Sequence, residues 1–120
     1  MLSHVGMLSW SSKINQIPVN VRAITDSSLD PLIPGGDALL RFVDAVLARS
    51  TVGIGAAVTV VMAELGQAGL VDAAAVIGNF QMMNRVADGT GMPVGAGSRR
   101  RHADLIDQLG LDRFDHTDDA

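Results

Sequence analysis

Asn79, Asn84, Arg85 and Asp88 crowd into the stretch 72–93, DAAAVIGNFQMMNRVADGTGMP. A purely structural helix of so apolar a chain has no need of this density of hydrogen-bonding groups. Arg85 and Asp88 lie three apart and can pair on one helical face. By spacing alone, this is a solvated polar face carrying an ion pair of small worth. His4 is the next candidate, because an imidazole titrates near neutral pH and can carry protons. It precedes Met7 by three residues and so heads an apolar stripe; read plainly, it is an exposed histidine in a frayed terminal turn. His102, Asp104, His116 and Asp118 are metal-competent side chains, but they share no recognised ligand spacing, and no metal is expected. Arg99, Arg100 and Arg101 could hold an anion or an acidic surface, with Asp104 and Asp107 near enough in sequence to offset them. GTGMPVGAG, residues 89–97, lacks the GxGxxG spacing and a Walker lysine, and it follows a helix, so a nucleotide-phosphate site is rejected and no cofactor is expected.

The elements that must position these residues can be read from spacing. Ala73, Val76, Ile77, Phe80, Met83 and Ala87 recur at helical intervals, Asp72 stands where an N-cap would, and Gly89, Gly91 and Pro93 end the helix. Met7, Trp10, Ile14 and Ile17 form one apolar stripe closed by Pro18, which predicts a first helix over 1–17. Residues 18–36 form a connector rich in proline, glycine and serine, in which Val19 and Val21 could be a short extended piece. Asp37 then caps a helix to Arg49 with Leu39, Leu40, Val43, Val46 and Leu47 inward, and with Arg41 able to pair with Asp44. Residues 52–69 are valine-rich and could favour a strand, yet Val58, Val61, Met62 and Leu65 give a helical stripe that stops at Gly66 or Gly69. A last helix is predicted over 98–109, stopped by Gly110, ahead of an acidic tail over 111–120.

The chain has 120 residues, which predicts a single domain with a modest core. Aromatic residues make up only 3% against 48% hydrophobic, so Ala, Val, Leu, Ile and Met must do the packing, as they do in closely packed helices. A net charge of -4 argues against nucleic acid as a partner, since phosphate binding is dominated by clustered Lys and Arg. With no cysteine, the chain has no disulfide, thiolate metal site or thiol nucleophile. No secretory signal is evident, and the apolar run 52–63 is interrupted by Gly53, Gly55 and Thr59 and is too short to cross a membrane. These observations predict a cytoplasmic protein without a membrane partner.

NFQMMNRVADGTGMP resembles the closing helix of the alkylhydroperoxidase D-like and carboxymuconolactone decarboxylase family, in which an apolar run leads into Asn-Arg, Ala-Asp and a glycine stop. DALLRFVDAVLAR, residues 37–49, is similar to the preceding family helix, and ELGQAGLVD, residues 64–72, to its turn and acidic cap. The resemblance spans roughly residues 26 to 112. It implies an all-α, compact helical bundle of four to five helices that assembles into a homo-oligomer. Many members reduce peroxides with a Cys-x-x-Cys pair at a helix N-terminus, followed by a histidine. His4 occupies the place expected of that histidine, and the cysteines would then fall just ahead of Met1.

Two readings follow from the resemblance. Either Met1 is an internal or misassigned start of a thiol peroxidase, with His4 as proton carrier and Asn84, Arg85 and Asp88 supporting the site or the oligomer, or the chain as given is an inactive remnant. Without a thiol, the disulfide cycle is chemically excluded. The decarboxylase branch needs no cysteine pair; in it His4 would act as general acid or base, and Arg85 would hold the carboxylate of a small lactone. A helical oligomerisation module without catalysis is the remaining alternative. The small-molecule substrates implied are thus a peroxide or a lactone.

Overall fold

A computed structural model describes residues 2–114. The protein is all-helical, as expected: α1 (Leu2–Asn15), α2 (Gly36–Leu47), α3 (Thr51–Gly89), α4 (Ala96–Arg101) and α5 (Ala103–Leu109), with 3-10 turns at Val21–Ile24 and Leu111–Phe114. No strand occurs among the described residues. The valine-rich stretch is helix, and the Val19/Val21 connector tightens into the first 3-10 turn, where the Asn20 side-chain oxygen accepts from the Arg22 backbone N–H at 3.2 Å. The chain divides into two compact units, Ile33–Met92 and the two terminal segments Met1–Leu32 with Pro93–Ala120, so the helical core expected over 37–110 is shared between them.

The Ile33–Met92 unit is built on an α2–α3 pair. Ala38, Phe42, Ala57 and Val61 form its buried cluster, with Ala45, Val46, Val58, Leu65, Leu70, Ala73 and Ile77 packed around it. The face of α2 is therefore turned from the expected one: Ala38 and Phe42 go inside, Leu39, Leu40 and Val43 are half-buried, and Leu47 is exposed. Phe42 is the largest apolar side chain on α2, and the alanines one turn to either side let α3 come close. Asp37 is not the N-cap. That position belongs to Gly35, and Asp37 in the first turn pairs with Arg41 at 2.8 Å, in place of the expected Arg41–Asp44 contact. Arg49, in the left-handed conformation, and Ser50, whose Oγ accepts from the Gly53 N–H at 3.0 Å, turn the chain into α3.

α3 is broken at Gly66, whose φ of 72° and ψ of -179° are non-helical. Gly66, and not Gly69, is thus the stop, and α3 consists of arms 51–65 and 67–89. Because the helix resumes directly after Gly66, Asp72 lies inside the second arm and caps nothing, contrary to the sequence expectation. The far end follows that expectation: Thr90 ends α3 by donating its hydroxyl to the Val86 carbonyl at 2.7 Å, and Gly91 is left-handed at φ 63°. By length and composition α3 is apolar enough to cross a membrane, so the shortness of the 52–63 run does not by itself argue against a span; the Gly66 break divides it.

The other unit buries Val5, Ala23 and Leu109. α1 ends at Asn15, two residues before the predicted end, because Gln16 turns left-handed and the Ser12 hydroxyl donates to the Ile17 carbonyl at 2.6 Å. Its predicted stripe exists but is exposed, with Trp10 67% accessible and Met7, Ile14 and Ile17 above half. The buried side of α1 is Val5, flanked by half-buried Gly6, Ser9 and Ser12, and the Ser9 hydroxyl is satisfied by donating to the Val5 carbonyl at 3.0 Å. The expected 98–109 helix is two short helices that meet at His102, and Gly110 closes the second in the left-handed conformation at φ 59°.

Candidate functional site

Arm 67–89 carries Asn84, Arg85 and Asp88 on its last turns, and all three are exposed, as is Asn79. Among the described residues no ion pair joins Arg85 to Asp88, so the predicted pairing is not formed. For two fully solvated side chains such a pair gains little against water and the entropy of holding both, which leaves no force to fix it. His4 lies on the first turn of α1 and is exposed. It belongs to the unit formed by the terminal segments, whereas Asn84, Arg85 and Asp88 belong to Ile33–Met92. The four candidates are therefore one exposed histidine and one exposed polar face, each described within its own unit.

Acid–base catalysis draws its force from a group whose proton affinity is moved by burial or by a charged neighbour. No polar or charged residue is buried among those described. Asp26 does have its carboxyl held below the ordinary value of 3.8, by the Ser28 hydroxyl first, then the Ser28 backbone N–H and the charge of Arg22. Those Ser28 contacts, at 2.6 and 3.0 Å to the same Asp26 Oδ1, form an exposed turn and shape the connector. Among the described residues no group of three His, Asp or Glu side chains is placed to hold a metal ion. His102 and Asp104 are within that set; His116 and Asp118 lie outside the described residues. Of the arginine triplet, Arg99 is half-buried and Arg100 and Arg101 are exposed on α4, a helix of six residues.

Sequence reasoning missed the closest packing of the terminal unit. The His102 imidazole lies over Gly6, so that a Cβ at Gly6 would stand 2.7 Å from His102 Cε1. A glycine inside an otherwise good helical segment was the available signal, since it costs about 1 kcal/mol against alanine and marks a close approach. The arrangement seats the α4–α5 junction on α1. Comparison with protein-family models, with curated proteins and with solved structures finds no match.

Proposed function

We propose that this chain is a helical self-association module, a protomer that completes its burial against copies of itself, on the alkylhydroperoxidase D-like pattern that its sequence resembles. One observation carries the reading: arm 67–89 keeps large apolar side chains exposed on the side turned away from the cluster it packs on. On arm 67–89, Leu70, Ala73 and Ile77 pack inward, whereas Val71, Met82 and Val86, at helical spacing on another side, are each more than half exposed. Contiguous exposed apolar surface of this kind marks association sites. Sedimentation velocity across a micromolar range tests it. The expected result is a defined oligomer that Met82→Asp dissociates without loss of helicity; a monomer at every concentration would sink the reading.

The enzymatic reading takes His4, on the first turn of α1, as its general acid or base, the group that moves the proton. Lactone turnover by this chain that disappears in His4→Ala, with the helices intact, would support it. Turnover indifferent to His4 would remove it.

A further inference from the structure

Gly66 is a joint made from a single residue. The chain is helical up to Leu65 and again from Gln67, and only Gly66, at φ 72° and ψ -179°, departs from helical geometry. That region of backbone space is open essentially to glycine alone. Nothing lies within 4 Å of where its Cβ would be, so a methyl group at this position meets no packed neighbour. Turning one pair of dihedrals into the helical well would make α3 continuous and form the helical hydrogen bonds that the break forgoes.

The cost of straightening is the seat of the second arm. Leu70, Ala73 and Ile77 rest on the cluster of Ala38, Phe42, Ala57 and Val61, and all three are only half-buried. Beyond them, residues 78–89 are exposed apart from Phe80, Gln81 and Ala87, which are half-buried. The arm is thus held mainly at its near end, by apolar contact.

We propose that Gly66 is the hinge of a reciprocal exchange, in which arm 67–89 of one copy takes the seat that the same arm occupies on its own cluster. The occupant is fixed by the structure: a second copy carries the identical Leu70, Ala73 and Ile77, and these residues are shown to fit. Exchange keeps every seat contact, adds the helical bonds across residue 66, and requires a second chain. This inference rests on the self-association reading and adds a second contact between copies, separate from the exposed Val71, Met82 and Val86 face.

Gly66→Ala tests it, because alanine disfavours the broken conformation and favours the continuous helix. The dimer association constant is expected to rise by at least about tenfold. Gly78→Ala, at a helical glycine that also has open space, brings the same gain in helix propensity and is expected to leave association unchanged. Since the chain has no cysteine, nitroxides on Val52→Cys and Asn84→Cys, both exposed positions, report the bend directly. A continuous helix puts these positions about 48 Å apart, and the broken one holds them closer. Labelled chain is diluted into excess unlabelled chain so that only distances within one copy are read. Growth of the long distance together with dimer, in the wild type as its concentration rises or in Gly66→Ala, is the expected result. A dimer that keeps only the short distance overturns the exchange and leaves self-association standing; a wild type and Gly66→Ala that stay monomeric overturn both.

Discussion

Phe42 and Trp10 are both large aromatic residues in apolar stripes read from helical spacing, and the structure treats them in opposite ways. Phe42 is 4% exposed between two alanine-lined faces, while Trp10 is 67% exposed on a helix that turns glycine and serine inward. The difference shows that spacing reveals an apolar stripe without saying which way it faces. In both units small residues stand beside the larger buried ones: Ala38, Ala45 and Ala57 around Phe42 and Val61 in one, Gly6, Ser9 and Ala23 in the unit that buries Val5 and Leu109. Close helix approach multiplies weak dispersion contacts, and small side chains permit it.

The contrast can be broken by paired truncation. Phe42→Ala should destabilise Ile33–Met92 by about 3–5 kcal/mol, read as an earlier denaturant transition in far-UV circular dichroism. Trp10→Ala, though it deletes a larger side chain, should change stability by no more than about 0.5 kcal/mol. Equal losses would mean that the α1 stripe is covered in solution even in the monomer. The close approach at Gly6 sharpens the comparison at intermediate size. Gly6→Ala should bring a net cost of about 1 kcal/mol, because displacing the His102 ring outweighs the gain in helix propensity, and in a His102→Ala chain the same change should stabilise by about 1 kcal/mol; a double-mutant cycle measures the coupling.

Smaller effects concern the surface. Asp37→Asn removes the pair with Arg41, whose side chains are 60% and 72% exposed, and should cost only about 0.3–0.5 kcal/mol, vanishing at high salt. The least change belongs to Asp26. Its folded carboxyl titrates below 3.8, so the contribution of its turn is present above that pH and is lost as the pH falls through the lowered value. Carboxyl chemical shifts should place its midpoint below 3.8, and Ser28→Ala should raise it toward that value.

Much of the fold was legible because local chemistry decides it. The stop at Gly91 and the left-handed Gly110 are end signals that act within a turn of themselves. Helix over strand for 52–69 was not settled by spacing, since its valines suit either; the helical readings on both sides of it and the family resemblance favoured helix, and helix is what forms. What was not legible depended on tertiary contact. The turned face of α2 follows from where α3 lies, and the cap expected at Asp72 lost to a break six residues earlier, which sequence could place only at one of two glycines. The candidate site was legible as four named residues and no further. Whether Arg85 meets Asp88 depends on solvent competition, and here water prevails.

One consequence of the α1 geometry is optical. Trp10 is the sole tryptophan and the chain has no tyrosine, so near-ultraviolet absorption and emission come almost entirely from one exposed ring. Emission therefore reports the surroundings of α1 and is blind to the Phe42 cluster, whereas backbone dichroism weights both units by their helical length. A melt followed by the two signals is a two-channel experiment without any label, and non-coincident curves would give each unit its own transition.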